Sequence, residues 1–397
     1  MATARRLLTA GTAALIVGAS LAGPRLRAAD VKVVDPTSVV MIVNRDSNEI
    51  AFMDIKTKKI VGKTFLGNNV NPHMVMMSPD GRYVVTGGTR ANKAYIIDAK
   101  TLQLVKVINV DIAPEHLAFS PDGRWYYQGN PDGDSISVID MVSLTKIKTI
   151  PGLVEPLNTV FSPDGSKAYV GNYGAHWVGV IDVRRHELLK KIQIAEVPGV
   201  AKLDPAKYLG EIKGINIPQI TNDGKFLYAA DTDLGVVGKI DPREDKVTKV
   251  IRVGKDPWRI YMSHDGNYAI TPNNGDQTIS IIDLRSDKVA ATLEAGENMT
   301  GVNFAAGKAF VISSTSGFVY VYDMKTLRPK GRIKIGTNIQ LETATTDTAD
   351  EKLYLADSTE NAVVIIDAKT ETVEKVFNVG LYPWGTHIMD SKDNYCH

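Results

Sequence analysis

Seven histidines occur in this 397-residue chain, and three stand in comparable surroundings. His73 lies in "NPHMV", His116 in "APEHLA" and His387 in "YPWGTHIM", each shortly after a proline. Imidazole is the commonest metal ligand and also an axial ligand to haem iron. Glu115 precedes His116, so His73, His116 and Glu115 make one candidate metal set. Arg259, in "DPWRIY", carries a planar fork that fits a carboxylate. Trp258 and Trp384 offer flat faces on which a ring can stack. The same residues also suit a plain structural role as packing for the mouth of a channel. His176, His186 and His264 are expected on inter-strand or outer turns, in solvent.

Several chemistries are excluded. No Cys-x-x-Cys-His occurs, so no c-type haem is covalently attached. The terminal Cys396-His397 lacks the first cysteine, and with one cysteine there is no intrachain disulfide. No Gly-x-Ser-x-Gly elbow and no Walker loop appears. Haem or a metal at the channel mouth is therefore the cofactor chemistry left open.

The elements that position these residues repeat. Short apolar runs ending in Asp recur at Asp54, Asp98, Asp140, Asp182, Asp241, Asp283, Asp323 and Asp367. Their spacings are 44, 42, 42, 59, 42, 40 and 44. A period near 42 with four short strands per unit is a propeller blade. An independent turn signal, "SPDG" at 78–81, 120–123 and 162–165, marks the same units, with "TNDG" and "SHDG" as variants and "AAGKAF" and "TADEKL" as eroded copies. Asp-Gly is a preferred tight turn because Gly accepts positive φ at no steric cost. The periodic Asp residues read as turn formers, not metal ligands.

The phase of the repeat predicts closure. The mature chain opens on three outer strands with no inner strand before them, and ends on an inner strand with no outer strands after it. The C-terminus should complete the first blade, a "velcro" that removes exposed edges. The reading is all-β: a single propeller over 30–397, with eight four-stranded blades, or seven if an eroded copy is not a blade. The long interval places an insertion at 195–214, on the face where inner strands begin.

Residues 1–29 read as a signal peptide. Arg5 and Arg6 precede an apolar stretch, with a cut after Ala22 or near Ala28–Ala29. An ordinary secretory signal fits better than a twin-arginine one. Its removal takes four Arg from a chain of net charge +1, leaving 42 basic and 45 acidic residues. That balance argues against nucleic acid as partner. No later stretch is long and apolar enough to span a membrane. An exported protein is expected, in the periplasm or an equivalent compartment.

The unit "SPDGSKAYVGNYGAHWVGVIDVRRHELLKKI" resembles the YVTN repeat family of β-propellers, and the resemblance covers residues 38–390. Exported proteins of this kind include haem-d-binding propellers of nitrite-reductase type, a haem-d biosynthesis protein, and propeller subunits of amine dehydrogenases and hydrazine synthase. The resemblance implies a non-catalytic accessory subunit of a periplasmic multi-haem redox complex in nitrogen metabolism, holding cytochrome-bearing partners. A haem-d-type tetrapyrrole binder is one alternative, with His73, His116 or His387 on iron and Arg259 on a propionate. A calcium-dependent lactonase-like or substrate-binding propeller is another, recruiting Glu115, Asn158, Asn303 and Glu342.

Overall fold

The computed structural model describes residues 35–194 and 212–393. The expected leader, most of the expected insertion and Cys396-His397 lie outside them. The strands form eight sheets of four antiparallel strands, so the count is eight and not seven. The first blade is Ile60–Phe65, Glu49–Asp54, Val39–Asn44 and Pro383–His387. Its innermost strand comes from the far end of the chain, pairing Met41 with His387 and Ile42 with Thr386. The predicted velcro closure is present.

Each blade is buried on both faces, which explains why its central strands read as unbroken apolar runs. Val40 and Ile42 pack with Tyr354, Val363 and Ile365 of the eighth blade. Met41 and Val43 turn the other way, towards Val75, Val84 and Ile97 of the second. Alternation of side chains along a strand splits one strand between two cores. Eight such apolar clusters occur, one between each neighbouring pair of blades. The ring is thus held by inter-blade cores and not by one central core. Backbones approach closely at some seams: a Cβ on Gly171 would lie 1.8 Å from the Asn216 carbonyl oxygen.

The periodic polar residues are structural. Asp54 Oδ1 accepts from the backbone N and hydroxyl of Thr57, each at 2.6 Å, and Asp98, Asp323 and Asp367 repeat the bond with Thr101, Thr326 and Thr370. In the Ser-Pro-Asp-Gly turns Ser78 Oγ donates to Asp80 at 2.6 Å, and Gly81, Gly123 and Gly165 all have φ near +70°. The eroded "TADEKL" turn puts Asp350 at φ 56°, where the other turns use Gly. Asn172 of "YVGN" is fully buried, accepts from Val154 N at 2.9 Å and donates to Val170 O.

The expectation for the outer-turn histidines is corrected. His186 is buried, with Nδ1 2.8 Å from the Tyr127 hydroxyl and its ring edge-on to Trp125. His176 Nδ1 meets the fully buried Asp231 at 2.9 Å. His264 Nε2 meets the equally buried Asp393 at 2.8 Å. His186 lies in an outer turn, His176 between the middle strands and His264 just after an innermost strand, but each imidazole docks on a neighbouring element. A repeat read unit by unit does not register that contact.

Candidate functional site

Inner strands start at one face of the disc, and the residue beside each entry point faces the axis. His73, Glu115, Leu157, Trp258, Thr300, Glu342 and Trp384 hold this position, one from each of seven of the eight blades, and all line one cavity of about 540 Å³. That volume falls within the about 300–1,000 Å³ of small-molecule and cofactor sites. His116 and Arg259, one residue further along, also line it. They can do so because the ladder in those blades begins only at Leu117 and Tyr261, leaving the preceding residues free of strict alternation.

Of the residues singled out from the sequence, His73, Glu115, His116, Trp258, Arg259 and Trp384 meet in this cavity. His387 does not join them. It lies four residues past Pro383, whereas His73 and His116 lie one and two past theirs. That offset carries it down the strand, where Nε2 comes within 3.5 Å of Met77 N. Burial pushes its pKa down to about 3. Its place in a three-histidine mouth is therefore withdrawn. Asn158 and Asn303 do not line the cavity either, and Asn303 instead donates to Ala344 O. The oxygen set proposed for calcium is not assembled.

Arg45 is the important residue that sequence reading missed. It follows the strand Val39–Asn44, its N donates to Tyr382 O at 3.1 Å and its Nη2 to Asn71 Oδ1 at 2.9 Å. Its guanidinium lies 4.2 Å from the Trp384 ring centre, and so covers one face of that indole. Tyr382 stacks near the same ring and His73 tilts towards it, with centroids 6.1 and 5.4 Å away. Only its spacing from the repeat, in the turn opposite Tyr382, could have flagged Arg45.

The cavity is electrostatically tense. Burial raises the Glu115 pKa to about 7, Asp132 pushes the same way and Arg45 opposes. Glu342 is also raised to about 7 by burial, against bonds from Ser358 and Gln340 and the charge of Arg45. Burial, His73 and Arg259 together hold the His116 pKa well below the ordinary imidazole value, so this ring is neutral. Two carboxyl groups titrating near neutrality give a measurable signature. Infrared difference spectra between pH 6 and 8 should show carboxyl loss and carboxylate gain, removed in the Glu115→Gln/Glu342→Gln double variant. An unchanged difference spectrum in that variant would place the titration elsewhere.

The class these features define is an eight-bladed propeller with a histidine, carboxylate and tryptophan cavity at the entry face of its channel. No family profile matches the sequence, and no curated protein matches it. Among solved structures, dihydro-heme d1 dehydrogenase NirN, in complex with DHE, is similar with a TM-score of 0.73 and 17% identity, over 89% of this chain and 76% of that one. Hydrazine synthase of Kuenenia stuttgartiensis is similar with a TM-score of 0.57 and 22% identity, over 76% and 97%. A functionally unknown protein from Desulfotomaculum acetoxidans DSM 771 gives 0.56 and 12%, over 88% and 98%. These likenesses establish the fold. Among the described residues no helix is long and apolar enough to cross a membrane.

Proposed function

We propose that this protein is an accessory propeller of an exported redox assembly, docking a cytochrome-bearing partner over its entry face. One observation carries the reading: the face that holds the cavity also exposes apolar side chains. Phe65, Ile112, Phe377 and Leu381 lie at the entry-side ends of outer strands or in the loops leading to inner strands, at 58, 51, 55 and 55% exposure. Exposed apolar groups occur elsewhere too, Val142 at 81% among them, but those around the cavity mouth frame a surface that a partner can cover. The fold shared with hydrazine synthase and NirN supports the redox setting.

The test is isolation of the tagged chain from the cell that encodes it, with haem staining of what is retained. A c-type cytochrome should be retained in near-equal amount. Phe65→Asp with Leu381→Asp should lower retention at least about tenfold while leaving the fold intact, as surface changes shift stability by only about 0.5 kcal/mol. A solitary chain, or retention untouched by the double variant, would refute the docking face.

A tetrapyrrole, the alternative occupant, fits these residues only in part. His73, His116 and the Trp258 face suit an iron tetrapyrrole. The charges favour it less: Asp132 and Glu155 match Arg45 and Arg259 in number, and Glu115 and Glu342, raised to about 7, add part of a further negative charge that a carboxylate-rich macrocycle would meet. Arg45 also covers a face of Trp384. The cavity fits a cation better than a multiply anionic ring.

A further inference from the structure

We infer that His73, Glu115 and His116 form a binding site for one first-row divalent transition-metal ion, with a coordination position open to the channel-mouth cavity. This goes beyond the docking role and uses different residues.

The three side chains offer donor atoms that all lie within 4.8 Å of one another. Among the described residues, no other group of three such side chains does so. Two neighbouring blades supply them, one the histidine and the other the consecutive Glu-His pair. The rings of His73 and His116 are 5.8 Å apart, and His116 Nε2 is 3.8 Å from Glu115 Oε2. In a tetrahedral site with bonds of about 2.0–2.2 Å, donors sit about 3.3 Å apart. The set therefore has to contract modestly, and Glu115, the least buried of the three, has room to move.

A second observation concerns the same buried ring. His116 is 3% exposed, and its buried Nδ1 has no hydrogen-bond partner. Buried polar atoms in folded proteins are paired in the great majority of cases, and an orphan calls for a bound water or ion. The other nitrogen, Nε2, is the one near Glu115. Backbone bonds fix the segment carrying this ring: the His116 carbonyl accepts from Gly129 N at 2.7 Å and from Gln128 Nε2 at 2.9 Å.

The donor chemistry selects the ion. Two imidazoles with one carboxylate suit zinc, iron(II), cobalt or copper, whereas calcium and magnesium take oxygen. Three protein donors leave at least one position for water or a small donor molecule, the arrangement of open metal sites. Field and access agree with this. Arg45 and Arg259 are the cations facing the site, and the acids Asp132, Glu155 and Glu342 around the same cavity offset their charge.

The experiment uses the full mature chain, stripped with a chelator and titrated with Co(II), then with Zn(II) in competition. One equivalent of cobalt should bind and give visible ligand-field bands, which zinc erases. His73→Ala, His116→Ala and Glu115→Gln should each weaken binding at least about tenfold, since even outer-shell partners cost about 10–100-fold. His387→Gln, which alters a buried histidine outside the cavity, should leave it unchanged, and a cooperative melt confirms that each variant is folded. Absence of cobalt bands at stoichiometric metal would overturn the inference, as would binding indifferent to the three substitutions. Haem supplies a further arm. A Soret shift on the stripped protein that is lost in His73→Ala, with no cobalt taken up by the unaltered chain, would assign the pocket to a tetrapyrrole instead. Partner retention is read separately, so either proposal can fail alone.

Discussion

Truncation after Leu381 should leave a chain that no longer unfolds cooperatively. The lost strand, Pro383–His387, closes the first blade against Val39–Asn44. Its approach is fixed by Arg45 N to Tyr382 O and Asp46 N to Leu381 O, and Thr386 Oγ1 donates to Tyr354 O at 2.7 Å in the eighth blade. Without it, the strand carrying Val40, Met41, Ile42 and Val43, all at 0% exposure, becomes an open edge. Burying such side chains contributes about 1.5–3 kcal/mol each. Losing even half of that cover removes an amount comparable with the lower end of the about 5–15 kcal/mol that holds a domain together. A ring has no spare element, because each inter-blade core needs both neighbours. Thermal circular dichroism should show a broad, weak transition, and a dye for exposed apolar surface should bind. A truncated chain melting as sharply and as high as the intact one would show that the closure is dispensable.

Asp393→Ala should cost about 3–5 kcal/mol, the range for removing one member of a buried charged pair. The chain does not stop at the closing strand. It turns beneath the disc and places Asp393, fully buried, against three other elements. Its carboxylate accepts from Phe304 N at 2.6 Å, Thr346 Oγ1 at 2.7 Å and His264 Nε2 at 2.8 Å. Lys392 reaches Asp350 at 2.9 Å, and Asp350 lies 3.3 Å from His264 Nδ1. One side chain therefore ties the sixth, seventh and eighth blades to the end of the first. Burial by itself would lower the His264 pKa, but the Asp393 bond and the charges of Asp393 and Asp350 outweigh it and raise the value, with Lys392 opposing.

The sign of the pH effect follows. A histidine whose folded pKa is raised adds stability that is complete below its unfolded value of about 6.5 and is lost as pH climbs through the folded value. The stability gap between the native chain and Asp393→Asn should be widest at pH 6 and should narrow towards pH 9. Urea unfolding at the two pH values measures it. A gap that stays constant or widens with pH would mean that His264 is not the charged partner.

Both effects concern closure, and closure is legible in the order of the residues. The outer triplet at one end and the lone inner strand at the other could be matched only by a ring. The blade count followed from eight Asp-ended strands, each holding the turn behind it through bonds such as Asp54 to Thr57. The cavity was legible in part. Aligning inner strands on the entry proline brings His73, Glu115, Trp258 and Trp384 into one column, which lies around the channel mouth, and Glu342, whose segment has no proline, joins it there. Reading histidines by their general neighbourhood, without counting from the proline, wrongly added His387.

What is local and periodic can be read from the order of residues: strand, turn, blade number, phase, and in most units the residue beside the entry point. These depend on side-chain alternation and on turn geometry, which act over a few residues and repeat in every unit. Tertiary structure alone decided what converges from different units. Arg45 over Trp384, the shared burial that brings Glu115 and Glu342 to about 7, the docking of His176, His186 and His264, and the Asp393 bolt all arise between blades. Such contacts depend on the angle and depth at which eight sheets meet around an axis, and no single repeat carries that information.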